Sequence, residues 1–135
     1  MSHRRAVTVR PAAGVARADV RMGGVRLQRV SGLTIEGLRL TGRVSVVQSG
    51  ARIRVVGNEI AGIRGGGRAT AGVYLYGWVH PPRGTVTDIL IEGNDIHGMD
   101  WPAGRAGGPA DGYGIVMAGN HARITVRGNT IRDVA

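Results

Sequence analysis

Two clusters of aromatic and polar side chains hold most of the chemistry this chain could perform. In the first, Tyr74 and Tyr76 flank Leu75, and Trp78 and His80 follow within a few residues. In the second, His97, Asp100, Trp101, Arg105 and Asp111 occupy a glycine- and proline-rich stretch that ends at Tyr113. Exposed aromatic rings stack on the apolar faces of sugar rings, and a guanidinium takes a carboxylate with two hydrogen bonds. Read this way, Tyr74, Tyr76, Trp78, His80, Trp101 and Tyr113 line a groove for a carboxylated saccharide. The same residues also have a structural reading. Trp78 and Trp101 fold down and anchor their own loops, Pro102 and Pro109 limit loop entropy, and His97, Asp100 and Asp111 hydrogen-bond within the second loop. The histidines at 3, 80, 97 and 121 lack the spacing of a zinc site.

Both clusters interrupt a repeat, and the repeat must position them. Leu33, Ile35, Gly37 and Leu40 recur as Ile53, Val55, Gly57 and Ile60, as Ile89, Ile91, Gly93 and Ile96, and as Ile124, Val126, Gly128 and Ile131. Each glycine thus has aliphatic residues four and two positions before it and three after. Alternation before the glycine means a strand with one buried face, and the glycine permits a sharp bend. A second strand precedes each copy, marked by Val25/Leu27, Val44/Val46, Val73/Leu75 and Ile115/Met117. The glycines lie 20, 36 and 35 residues apart, a period of stacked units whose neighbours complete one another's core. Asn58, Asn94 and Asn129 follow their glycines and should form a hydrogen-bonded ladder, which Leu38 interrupts at the first copy. Glu36 and Glu92 precede their glycines and should face solvent.

The pattern aliphatic-x-aliphatic-x-Gly-Asn-x-Ile, running from about Val25 to Ile131, resembles the right-handed parallel β-helix of the pectate-lyase-like superfamily. The resemblance implies an all-β solenoid of four to five coils, with residues 1–24 as a partial N-terminal coil and 25–135 as the repeats. It also implies an extracellular or cell-surface setting. Polysaccharide lyases and epimerases of this fold remove a proton next to a carboxylate. Since the chain has no lysine, the resemblance puts His97 or Arg105 in the role of base, with Asp100 and Asp111 nearby as ligands for calcium. Two aspartates do not make a calcium site by themselves. The aspartate groups and Arg-Ile-Lys segment of the related hydrolases are missing, so that mechanism is disfavoured. Two functions stay open: a domain that binds and cleaves or epimerises an acidic polysaccharide, and a non-catalytic glycan-binding or structural β-helix.

At 135 residues the chain is expected to form one domain. Phenylalanine is absent, and valine, isoleucine and leucine suit a narrow core. All 18 basic residues are arginine and the net charge is +9, so an acidic polymer is the expected partner. The arginines are spread over strands (Arg52, Arg54, Arg123, Arg127) and loops (Arg64, Arg68, Arg83, Arg105), which disfavours nucleic acid. Coding bias toward arginine is the blander explanation of the composition and the favoured one. Cysteine is absent, no run reaches membrane-spanning length, and no apolar segment follows Met1-Ser2-His3-Arg4-Arg5 to make a signal peptide. The shortest repeat shows that the longer ones carry insertions. Two of these, 61–72 and 97–114, should leave neighbouring copies side by side. Neither end carries an evident cap, so the expectation is a piece of a longer β-helix or a unit that self-associates end to end.

Overall fold

The computed structural model describes residues 6–15, 21–62, 70–99 and 112–134. Asp100, Trp101, Arg105 and Asp111 lie outside them. Alternating aliphatic residues give no helical face, and the described residues form strands only. In chain order these are β1 (Val7–Val9), β2 (Arg21–Met22), β3 (Val25–Glu36), β4 (Arg39–Leu40), β5 (Val44–Val56) and β6 (Glu59–Ala61). They continue as β7 (Thr70–Gly77), β8 (Val86–Glu92), β9 (Asp95–Met99), β10 (Gly112–Gly119), β11 (His121–Arg127) and β12 (Thr130–Val134).

Every pairing among them is parallel. The larger, seven-stranded sheet runs β1-β3-β5-β7-β10, with β8 pairing both β5 and β11. The smaller, five-stranded sheet runs β12-β9-β6-β4-β2. Strand β5 bends to serve two legs: Val44–Gln48 pairs with β7 and Gly50–Val56 with β8. Parallel neighbours cannot be joined by a hairpin. The route from β3 to β5 therefore passes through β4 in the smaller sheet, and that from β5 to β7 through β6.

The aliphatic rows expected from the repeat pair residue by residue. Leu33, Ile53, Ile89 and Ile124 form one row, Ile35, Val55, Ile91 and Val126 the next, and Leu40, Ile60, Ile96 and Ile131 the row beyond the corner. On the other leg, Val25, Val44, Val73 and Ile115 align, as do Leu27, Val46, Leu75 and Met117. In the middle copies Val46, Leu75, Ile53, Ile91, Ile60 and Ile96 are buried. Full burial of each such side chain contributes about 1.5–3 kcal/mol. In the last copy the same rows open, with Met117 42%, Val126 41% and Ile131 44% exposed.

The repeat glycines Gly37, Gly57, Gly93 and Gly128 all have left-handed φ angles, between 61° and 65°. Inside this corner runs the asparagine ladder. The Leu38 N–H donates to Asn58 Oδ1 at 3.0 Å, the Asn58 N–H to Asn94 Oδ1 at 2.9 Å, and the Asn94 N–H to Asn129 Oδ1 at 2.9 Å. The amide Nδ2 groups of Asn58, Asn94 and Asn129 donate to the carbonyls of Ile35, Val55 and Ile91. Leu38 does not break the ladder. Asn58 needs from it only a backbone N–H, and the leucine side chain is itself buried.

A second left-handed row lies further back along the chain, at Gly32 (φ 75°), Arg52 (54°), Asp88 (55°) and Arg123 (53°). The pairings on either side, Ser31 with Ala51 and Leu33 with Ile53, place Gly32 level with Arg52. Side chains with a β-carbon resist this conformation, so Arg52 and Arg123 hold a bend that glycine makes more easily.

Candidate functional site

On the first leg of the larger sheet, each residue following an aligned valine points away from the core. Arg26, Ser45, Tyr74 and Val116 form one outward row, and Gln28, Val47, Tyr76 and Ala118 the next. Arg43, just before β5, shares this face. Its guanidinium carbon lies 5.3 Å from the centroid of the Tyr74 ring. The Tyr76 ring stacks against Tyr74 with centroids 6.2 Å apart and planes 10° from parallel. Arg43 is two residues before the partner of Tyr74, and Tyr76 is two residues after Tyr74, so both neighbour that ring along the strand direction. Tyr74 is therefore flanked by a guanidinium and by a second, nearly parallel phenol ring. Ser45 and Val47, though outward-facing, are only 5% and 8% exposed beneath their longer neighbours.

Beside this stack Gly24, Val25, Arg26, Arg43 and Ser45 line a depression of about 230 Å³. The Arg43 carbonyl accepts from the Val25 N–H at 3.0 Å, which ties the backbone of Arg43 to the start of β3, next to Arg26. Among the described residues, neither Arg26 nor Arg43 has a carboxylate within ion-pair distance. A guanidinium lying over an aromatic ring keeps its N–H edge free for a planar, doubly accepting anion. Chemically, the ledge sets two guanidiniums without an acid partner among the described residues beside two phenol rings.

Trp78 and His80 follow the ledge on the loop between β7 and β8. The Trp78 backbone is pinned on both sides: its N–H donates to the Gln48 carbonyl at 3.0 Å, and its carbonyl accepts from Gly84 N–H at 3.1 Å and Asn120 Nδ2 at 2.8 Å. Gly84 packs so closely on Gln48 that a β-carbon there would collide with its carbonyl oxygen. Trp78 is half-buried and His80 exposed. Tyr113 opens β10 opposite Ala71 and is 42% exposed.

His97 stands elsewhere, on β9 in the smaller sheet. Its Nε2 lies 3.1 Å from Glu59 Oε1 and 4.0 Å from Asp95 Oδ2. Arg39 approaches Glu59 from the other side at 3.7 Å, and Arg132 reaches Asp95 at 3.2 Å. Acidic and basic side chains alternate across this cluster. The structure therefore does not bring His97 together with Tyr74 and Tyr76. The insertions at 61–72 and 97–114 do begin side by side, since Ala61 pairs with His97 and Gly98 approaches Gly62. Asp100, Trp101, Arg105 and Asp111 fall outside the described residues. Among those described, no group of His, Asp or Glu is arranged to hold a metal ion, and no helix is long and apolar enough to cross a membrane.

Outside the glycine corner the acids are matched by arginine from a neighbouring copy. Glu36 pairs with Arg10 at 3.6 Å, Glu92 with Arg127, and Asp88 takes Arg123 through two hydrogen bonds at 2.6 and 2.9 Å. The Arg123 hydrogen bonds hold the Asp88 carboxyl below its ordinary pKa, and Asp88 in turn raises that of Arg123. Val56 separates Glu36 from Glu92, as the repeat predicts. The sequence reading did not single out Arg26 and Arg43. Its own alignment of Val25, Val44 and Val73 contained the signal, since the residues flanking those valines share the outward face with Tyr74. No protein-family model matches the chain, and neither does a curated protein or a solved structure.

Proposed function

We propose that the chain winds as a right-handed parallel β-helix of the pectate-lyase-like kind and that its larger sheet binds an acidic polysaccharide. The fold reading is supported by the parallel, in-register pairing of successive copies and by connections that cross through the second sheet. Such crossovers between parallel strands are right-handed in nearly all proteins. The function reading is carried by one observation: Arg43 lies over Tyr74 with Arg26 in the adjoining row, and neither guanidinium has an acid partner among the described residues. Uronic-acid polymers present carboxylates and hydroxyls together, which matches this set of donors. The reading sets the protein outside the cell or at its surface, where such polymers occur.

The test is binding by the whole chain to a linear polyuronate and to its neutral counterpart, with and without R26A/R43A. Tight binding of the polyuronate alone, lost in the double variant, is the expected result. Equal binding of the neutral polymer would contradict it. A second reading, elimination or epimerisation, draws on the contact of His97 with Glu59, which places an imidazole nitrogen 3.1 Å from a carboxylate that orients the ring. Turnover of the same polyuronate that H97A abolishes while binding persists would establish that reading. Binding without turnover leaves a glycan-binding module.

A further inference from the structure

Between Val25 and Val56 the arginines far outnumber the acids. Glu36 is the lone carboxylate in that stretch, and it is engaged by Arg10. Arg39 is occupied by Glu59. Arg26, Arg29, Arg43, Arg52 and Arg54 are all exposed and have no ion pair within 4 Å among the described residues. Strands β3 and β5 are hydrogen-bonded neighbours, about 4.8 Å apart. These guanidiniums follow the same pair of strands; Arg26 is in register with Ser45 and Arg54 with Thr34 and Leu90, whereas Arg52 is level with Asp88, whose carboxylate is held by Arg123. The row begins at the tyrosine ledge with Arg26 and Arg43, passes the bend at Arg29, and continues onto the second leg through Arg52 and Arg54. Copies further down the sheet differ: Arg123, Arg127 and Arg132 are each engaged by Asp88, Glu92 and Asp95.

We infer that a linear polyuronate lies along β3 and β5, around the bend from the tyrosine ledge, and that Arg52 and Arg54 form a second contact region for its carboxylates. This rests on the acidic-polysaccharide reading of the ledge and extends it from a local site to a path. Charge sets the class of partner, because a row of arginines that outnumbers the acids beside it raises the local concentration of a polyanion. The tyrosines choose between polyanions. Single-stranded nucleic acid gains much of its affinity from bases stacked on open aromatic faces, and the Tyr74 ring already carries the Arg43 guanidinium and has Tyr76 alongside.

The experiment compares a uronate trimer with a long polyuronate on the whole chain and on R52G/R54T. Both replacements already occur at equivalent places, Gly32 level with Arg52 and Thr34 paired with Arg54, so the variant keeps a backbone the fold uses. In the parent, the long polymer should bind at least tenfold more tightly than the trimer. In R52G/R54T that gain should disappear while trimer affinity is unchanged, and the log-log salt slope for the polymer should fall by about 0.7 per arginine removed. A variant that keeps the full gain with length overturns the path, as does a single-stranded oligodeoxynucleotide of equal charge binding more tightly than the polymer. Trimer binding with no gain from length overturns the path and spares the ledge. Polymer binding that depends on Arg52 and Arg54 without trimer binding supports the path and overturns the ledge. Failure of both ligands to bind overturns both.

Discussion

The larger sheet carries arginine at both ends of its stack, to different effect. On β8 and β11, Asp88 and Glu92 stand opposite Arg123 and Arg127, so the charges are matched within the chain. On β3 and β5 the outward Arg26 and Arg54 and, just ahead of β5, Arg43 have no acid in register, and Arg52 is level with Asp88, a carboxylate that Arg123 already holds. The residue type is the same, and the register decides its role. Where register supplies a carboxylate, arginine ties neighbouring copies together. Where register supplies serine, threonine or leucine, as at Arg26 and Arg54, the guanidinium faces solvent.

The largest effect is expected at the seam between the two regions. Asn94 accepts from the Asn58 N–H and Nδ2 and donates to the Val55 carbonyl, so Asn94→Ala strips buried partners from several groups at once. Each orphaned group costs about 1–3 kcal/mol. Denaturant unfolding should show a loss of about 3 kcal/mol or more, and a loss below about 1 kcal/mol would mean that the ladder is not a structural tie.

The arginines themselves test the contrast next. R26A/R43A should weaken polyuronate binding at least tenfold, about 1.4 kcal/mol, with the unfolding midpoint unchanged. R123A/R127A should leave binding within twofold of the parent. Equal losses in the two variants would show that net charge, and not unpaired arginine, governs the interaction. Arg52→Gly sharpens the comparison further, because it relieves a left-handed bend that Gly32 makes without strain. It should raise stability by about 1 kcal/mol in chemical denaturation while weakening binding of the long polymer.

The smallest effect is electrostatic and belongs to the paired region. Asp88 has its pKa lowered by Arg123. Its contribution is therefore fully present above the ordinary carboxylate pKa and lost as the pH falls through the lowered, folded value. Parent and D88N should differ slightly and constantly near neutral pH, and the difference should close in acid. Both groups are exposed, so R123A should leave the neutral-pH unfolding midpoint almost unmoved.

Much of this architecture was legible from the repeat. Three aliphatic positions around one glycine sufficed to place Leu33, Ile53, Ile89 and Ile124 in one row, because insertions fell between strands and left the alternation within them intact. The asparagine ladder was legible for the same reason, and Leu38 raised a doubt only because a side-chain rung was expected where a backbone N–H suffices. Tyr74 and Tyr76 could be placed on the outward face by parity alone. The bends at Arg52 and Arg123 could not be foreseen, since arginine gives no sign of a left-handed φ. The contact of His97 with Glu59 depends on which residues of two insertion-bearing copies lie side by side, and that follows from pairing between residues 38 positions apart. The arginines looked scattered along the chain because only the sheet reveals which have acids opposite them.

The most direct test is an NMR titration of the isotope-labelled whole chain with a short uronate oligosaccharide, followed through backbone and arginine side-chain signals. Shifts should concentrate on Arg26, Arg43, Ser45, Tyr74 and Tyr76 and leave Arg123, Arg127 and Arg132 still. Shifts centred on His97, Glu59 and Asp95, or spread evenly over all arginines, would contradict the assignment of the ledge as the binding site.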